Sequence, residues 1–177
     1  MLRKYSALVI TCLCLAPVAV SESELYVSGG YSLFDGEGAT LGAVTARGGF
    51  KFNDYFGIEG EGSVGSGSED VDDVVGAEIE LGSQYAAYLV GTYPLSDRFD
   101  FTARVGYGEL DFDVSVGELS ESAKIEAFAV GLGGEYSLTD NFGLRLDFTR
   151  FESNDGEIEG GVDAFTLSGV LKFGLGN

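Results

Sequence analysis

From residue 21 onward, apolar and polar side chains alternate with a period of two, and no stretch carries the period of about 3.6 that marks a helix. Such alternation belongs to β-strands whose two faces meet different surroundings. Residues 44–52 set Val44, Ala46, Gly48, Phe50 and Phe52 against Thr45, Arg47, Gly49 and Lys51. Residues 99–107 set Phe99, Phe101, Ala103, Val105 and Tyr107 against Asp100, Thr102 and Arg104, and residues 142–149 behave alike. The pattern predicts eight strands, at 25–34, 41–52, 55–64, 79–93, 98–110, 123–138, 142–151 and 164–174. Three connections are short and resemble one another: Phe52-Asn53-Asp54-Tyr55-Phe56, Tyr93-Pro94-Leu95-Ser96-Asp97-Arg98-Phe99 and Tyr136-Ser137-Leu138-Thr139-Asp140-Asn141-Phe142. Their aspartates Asp54, Asp97 and Asp140 are spaced by 43 residues each time. Four other connections, near 35–40, 65–78, 111–122 and 152–163, are longer, polar and acidic. Short turns alternating with long loops predict an all-β, eight-stranded, antiparallel up-and-down barrel.

The two faces then decide which way the barrel turns. The polar face holds Arg47, Lys51, Arg104, Arg145 and Lys172 together with Glu59, Glu61, Asp100, Glu135 and Asp147; most of its other residues are Gly, Ser, Thr or Ala. Five positive and five negative charges among small residues suit a narrow interior, where an unpaired charge is costly. The apolar face therefore points outwards, as in a barrel that crosses a membrane. Phe52, Tyr55, Phe56, Tyr93, Phe99, Tyr136, Phe142 and Phe173 gather at the short-turn end as an interfacial ring. A looser ring near the long loops takes in Phe34, Tyr85, Tyr107, Phe128, Phe148 and Phe165.

Composition adds an N-terminal export signal and a charge asymmetry. Leu2-Arg3-Lys4, the apolar run Ala7 to Val20 and the small residues Ala19 and Ser21 have the three-part layout of a cleaved signal peptide over 1–21, leaving the barrel at 22–177. Both cysteines, Cys12 and Cys14, lie in that segment, so the exported chain has no thiol chemistry. Without Arg3 and Lys4 the chain carries 8 basic and 29 acidic residues, a net charge of −21. Nineteen of the acids lie in or beside the long loops, opposed there only by Lys124 and Arg150. This excludes nucleic acid as a partner. The densest cluster, Glu69, Asp70, Asp72 and Asp73, is a possible cation-binding loop, although it lacks the ordered spacing of an EF-hand. The chain has no histidine, which removes the commonest general base, and no cofactor motif.

The Tyr-Pro-Leu-Ser-Asp-Arg-Phe and Tyr-Ser-Leu-Thr-Asp-Asn-Phe turns, the Arg104-Val105-Gly106-Tyr107-Gly108 strand and the last strand resemble the small outer-membrane β-barrels of Gram-negative bacteria, of the OmpA-like and opacity-type porin family. Leu167, Gly169, Leu171 and Phe173 are similar to the signal such barrels present to the outer-membrane assembly machinery. Gly174 to Asn177 follow, whereas family members commonly end on the aromatic. The resemblance implies short turns in the periplasm, long loops outside, and contact with outer-membrane lipids and lipopolysaccharide. It also implies a lumen filled by side chains.

The resulting expectation is a non-enzymatic, monomeric outer-membrane barrel with a structural or surface-interaction role. Its acidic loops would meet divalent cations or a basic partner, and it needs no cofactor. Two alternatives are a narrow porin for small solutes and a soluble, secreted ligand-binding barrel with its apolar face inside.

Overall fold

A computed structural model describes residues 23–36, 39–70, 77–116, 119–153 and 161–174. They form nine strands: β1 (Glu24–Gly36), β2 (Ala39–Lys51), β3 (Phe56–Gly65), β4 (Ser68–Asp70), β5 (Ala77–Ser96), β6 (Phe99–Val116), β7 (Leu119–Ser137), β8 (Phe142–Ser153) and β9 (Gly161–Gly174). Every pairing is antiparallel, in the order β3-β2-β1-β9-β8-β7-β6-β5-β4, and β3 also pairs with β5. That last pairing closes the sheet. The three-residue β4 follows β3 after a break at Ser66 and Gly67 and pairs with the same neighbour, so the wall has eight staves. Closure leaves no sheet edge within the barrel wall, which is what allows strands to cross a bilayer.

The alternation is realised as drawn from the sequence. Val44, Ile58, Leu89, Val105, Leu132, Leu146 and Leu167 are exposed on the outside, while Arg47, Glu59, Arg104, Glu135, Arg145 and Asp147 are buried inside. No helix among the described residues is long and apolar enough to cross a membrane; the strands carry the apolar band instead.

The short turns owe their repeat to one hydrogen-bond acceptor each. Asn53 Oδ1 accepts from the backbone N–H of Tyr55 and Phe56 at 2.8 and 2.9 Å. Ser96 Oγ accepts from Phe99 N–H at 3.1 Å, and Thr139 Oγ1 from Phe142 N–H at 3.0 Å. Side-chain oxygens of Asn, Ser and Thr satisfy turn N–H groups in this way. The working position is the residue just before each repeated aspartate.

Two expectations are corrected. Residues 111–116 and 119–122 are strand rather than loop: β6 runs to Val116 and β7 starts at Leu119, in register from Val116↔Leu119 through Leu110↔Ile125. Its cause is visible in Leu110, Phe112, Val114 and Val116, which continue the alternation through Asp111, Asp113 and Ser115. Likewise β5 begins at Ala77, inside the expected second loop. Phe34 does not join the outer aromatic ring. It is 2% exposed and packs inwards beside Phe151, with ring centroids 6.2 Å apart, because it shares the phase of Ser32 rather than that of Leu33.

A register shift between Leu81 and Ser83 puts an irregularity at Gly82. Beyond it, β5 pairs with β4 on one side and β6 on the other, and β6 continues paired with β7. From Leu110 to Val116 this extension is about 20 Å, at ~3.4 Å per residue.

A layered lumen as the candidate site

Inward-facing side chains build four layers, taken here from the short-turn end. At the mouth, Lys172 pairs with Glu135, and Lys51 Nζ lies 3.3 Å from Glu24 Oε1. Asp100 joins Glu24, Lys51, Asn53 and Lys172 around a cavity of about 280 Å³.

The second layer is an ionic cluster of three arginines and three carboxylates. Arg47 Nε reaches Glu61 Oε2 at 2.6 Å, and its Nη1 reaches Asp147 Oδ2 at 2.6 Å. Arg104 Nη1 bridges Glu59 Oε1 at 2.9 Å and Glu61 Oε2 at 2.8 Å. Arg145 spans Glu59 Oε2 at 2.8 Å and Asp147 Oδ1 at 2.9 Å. All six are almost fully buried, so each charge depends on its partners rather than on water. The chain builds the cluster from β2, β3, β6 and β8: β2 and β3 are neighbours that set Arg47 opposite Glu61, and β6 and β8 meet them across the lumen. Neighbouring positions must then be small. A Cβ on Gly49 would lie 2.0 Å from Tyr26 Cζ, and one on Gly133 would lie 2.3 Å from Asp147 Oδ1.

Two tyrosines complete this layer. Tyr26 Oη donates to Glu59 Oε2 at 2.8 Å, and Tyr88 Oη donates to Glu61 Oε1 at 3.1 Å. The Arg104 guanidinium also sits 4.5 Å from the centroid of the Tyr88 ring. On one side of the cluster Arg47 Nη2, Arg145 Nη2 and the hydroxyls of Ser28 and Ser168 are buried without a protein partner.

The third layer is a chain of neutral hydrogen bonds. Ser63 donates to Gln84 Oε1 at 2.8 Å and contacts Thr45 at 2.8 Å; Thr45 contacts Ser32 at 2.6 Å, and Ser32 contacts Thr166 at 2.7 Å. Gln84 Nε2 ties this belt to the ionic cluster through Glu61 Oε1 at 3.0 Å. The fourth layer, towards the long loops, is apolar: Phe34, Leu41, Leu81, Leu110 and Phe151 pack with Ala43, Ala127 and Ala164.

The structure thus brings together six of the ten charged residues expected in the lumen. It places Lys51, Asp100, Glu135 and Lys172 at the mouth instead. Sequence reasoning missed Tyr26, Tyr88, Gln84 and the apolar layer. The signal for Tyr88 lay in its phase, which it shares with Gln84 and Thr92, whereas Tyr85 and Tyr93 share the outward phase of Leu89. Glu69 and Asp70 lie on β4, while Asp72 and Asp73 fall outside the described residues. Among the described residues no group of three acids, cysteines or histidines is placed to hold a metal ion. Leu167, Leu171 and Phe173 face outwards on β9, and Gly169 lies beneath the Phe142 ring. In the extended sheet, Lys124 Nζ lies 2.8 Å from Glu109 Oε1 and 3.1 Å from Asp111 Oδ2. Those hydrogen bonds, first to Glu109 and then to Asp111, push its ammonium above the ordinary lysine value.

A closed barrel with an apolar outside, aromatic ends and a filled polar lumen is a transmembrane β-barrel. The chain belongs to the outer membrane protein beta-barrel domain family, whose model matches residues 5–173. Among curated proteins none matches it in sequence. Its fold is that of several solved outer-membrane proteins. Ail, the attachment invasion locus protein of Yersinia pestis, in complex with the heparin analogue sucrose octasulfate, is 18% identical with a TM-score of 0.63, over 86% of this chain and 99% of Ail. OprG from Pseudomonas aeruginosa is 13% identical with a TM-score of 0.64, over 87% of this chain and 97% of OprG. The N-terminal β-barrel domain of Pseudomonas aeruginosa OprF is 13% identical with a TM-score of 0.59, over 86% of this chain and 98% of that domain. At these identities the likeness is one of fold.

Proposed function

We propose that this protein is a non-enzymatic, monomeric outer-membrane barrel whose working surface is its acidic long-loop end, facing out of the cell and binding a basic partner. The observation that carries this reading is the separation of charge. The six-residue ionic cluster is neutral and internally paired, the outer wall is apolar, and the acidic excess sits at one end. Among the described residues the lumen is filled by ion pairs and, above them, by packed apolar side chains, which weighs against the porin alternative. The outward apolar wall weighs against a soluble ligand-binding barrel.

Ail was solved with a polyanion, a heparin analogue. The loop end here is itself acidic and would repel such a ligand, so the ligand that fits it is a polycation. Divalent cations that bridge the loops to lipopolysaccharide are a lesser part of the same electrostatics. Export by the 1–21 signal, and delivery to the assembly machinery through Leu167, Gly169, Leu171 and Phe173, complete the reading.

The test uses the folded protein in zwitterionic vesicles. Poly-lysine binds at low ionic strength and is released as salt rises, while planar-bilayer conductance stays at that of lipid alone. Stable single-channel steps, or an absence of poly-lysine binding, would overturn it.

A further inference from the structure

The outer wall is uneven. On β7, β8 and β9 its outward positions carry bulky side chains such as Val130, Leu132, Leu144, Leu146, Leu167 and Leu171. On β2, β3, β5 and β6 the same face holds Gly48, Gly60, Ala87, Gly91 and Ala103. Register makes them neighbours: Gly48 lies opposite Gly60, Gly60 opposite Ala87, and Gly91 opposite Ala103. Packing within the barrel does not demand these glycines. A Cβ on Gly48 would meet nothing within 4 Å, and one on Gly60 or Gly91 would meet only backbone oxygens, at 3.8 Å or more. Gly134 and Gly169, also outward, differ: the rings of Phe99 and Phe142 lie over them, 2.8 and 3.3 Å from where a Cβ would sit. Glycine weakens a strand and marks places where a ligand or another backbone comes close. Space kept open on the outside is therefore space for something outside.

These openings join into one groove. Gly48, Gly60 and Ala87 floor a depression of about 790 Å³ beside the ridge of Phe50, Ile58 and Leu89. Across Leu89 and Val105 it meets a second of about 380 Å³, floored by Gly91 and Ala103. That one runs into a third of about 370 Å³, which ends at Tyr55 and Tyr93. The path from Tyr93 to Ala87 is about 20 Å along the strand, at ~3.4 Å per residue. At a strand tilt of about 40° it covers roughly 15 Å of depth, half of a hydrocarbon core about 30 Å thick. The groove thus spans one leaflet, from interfacial tyrosines to the midplane.

The groove is continuous with the lipid-facing wall, so what fills it comes from the bilayer. Its apolar walls and the phenols at its open end match an acyl chain with its headgroup at the interface. Tyr107 and Phe128 close the far end. Beyond them Glu109 and Glu126 lie opposite each other and repel the phosphates of lipid A. A second copy related by a two-fold axis would set groove against groove and fill neither. We infer that the outer face of β2, β3, β5 and β6 is a binding site for one acyl chain of a phospholipid from the leaflet at the short-turn end, its headgroup beside Tyr55 and Tyr93.

The test reads lipid retention by native mass spectrometry. The folded protein is moved from nanodiscs of palmitoyl-oleoyl phosphatidylethanolamine into mild detergent. The expected result is one phospholipid kept per barrel. Gly60→Leu combined with Ala87→Leu and Gly91→Leu fills the groove from the outside and is expected to cut retention at least tenfold. Gly60→Leu alone, at the centre of the groove, is expected to cut it at least threefold. Folding of each variant is checked by the difference in gel migration between unheated and heated samples. Leu146→Ala, on the opposite wall, is expected to keep retention at the wild-type level. A wild-type barrel that keeps no lipid overturns the inference without recourse to any variant. Equal retention by either folded groove variant overturns it too, as does an equal drop in Leu146→Ala. Preferential retention of lipid A when both lipids are offered overturns the source of the chain. A lipid-free dimer held through this face overturns the choice of occupant.

Discussion

The two halves of the lumen seal the same barrel by opposite means. Near the short turns, Arg47, Arg104 and Arg145 interlock with Glu59, Glu61 and Asp147. Near the long loops, Phe34, Leu41, Leu81, Leu110 and Phe151 pack as an ordinary apolar core. The ionic half works only as a complete set, because removal of one member strands another charge out of water. The apolar half is forgiving, because its members lose contacts one at a time. Between them the hydroxyl belt meets both: Gln84 bonds Glu61 on one side, and Ser32 precedes Phe34 by two residues on the other. A polar barrel interior therefore need not be polar throughout, provided that every buried charge lies in the paired half.

The largest expected effect comes from breaking the ionic half. Arg145→Leu leaves Glu59 and Asp147 short of a cation and is expected to cost about 3–5 kcal/mol in urea unfolding of the micelle-folded protein. Arg145→Leu combined with Asp147→Asn restores a neutral cluster, with Arg47 and Arg104 still paired to Glu61 and Glu59, and should recover part of that loss. A double variant no more stable than the single one would show that packing, not stranded charge, is at issue. Phe151→Ala in the apolar half should cost about 3 kcal/mol or somewhat more by cavity formation. Its bilayer conductance should stay at baseline, because the ionic cluster still closes the lumen below. Channel steps in Phe151→Ala alone would mean that only the apolar layer seals.

Gly49→Val tests the boundary between shape and charge. The new side chain meets the Tyr26 ring, and Tyr26 holds Glu59. Overpacking of this kind is expected to cost about 1–3 kcal/mol. Adding Tyr26→Ala should relieve the clash, so the double variant should be more stable than the sum of the two singles implies. Strict additivity would place the cost elsewhere.

Much of this was legible in the sequence. Alternation showed which residues face inwards, since period two leaves only one phase free, and Arg47 or Glu59 settles that phase for its whole strand. Three features were not legible. Which charges meet depends on the stagger of strands around the closed wall, so the grouping of Arg47 with Asp147, 100 residues away, is a property of closure. Inward apolar residues such as Phe34 and Leu41 alternate with equally apolar outward neighbours such as Leu33, so hydrophobicity alone gives them no face. The β6–β7 hairpin was present in the pattern, but its acids outweighed the alternation of Leu110, Phe112, Val114 and Val116. Charge density says where a strand is solvated, not where it ends.

The smallest effect concerns the short-turn end, where the repeat first drew attention to Asp54, Asp97 and Asp140. The residues just before them, Asn53, Ser96 and Thr139, accept turn N–H groups through their side-chain oxygens. Asn53 accepts two N–H groups, whereas Thr139 accepts one in its turn. Asn53→Ala is therefore expected to cost about 1 kcal/mol, towards the upper part of the range for a neutral hydrogen bond, and Thr139→Ala about 0.5 kcal/mol. Neither touches the lumen, so neither should change conductance or poly-lysine binding. If Asp140→Ala destabilises the barrel more than Thr139→Ala does, the aspartate and not the hydroxyl carries the turn. The 43-residue repeat would then reflect charge at the membrane interface rather than backbone capping.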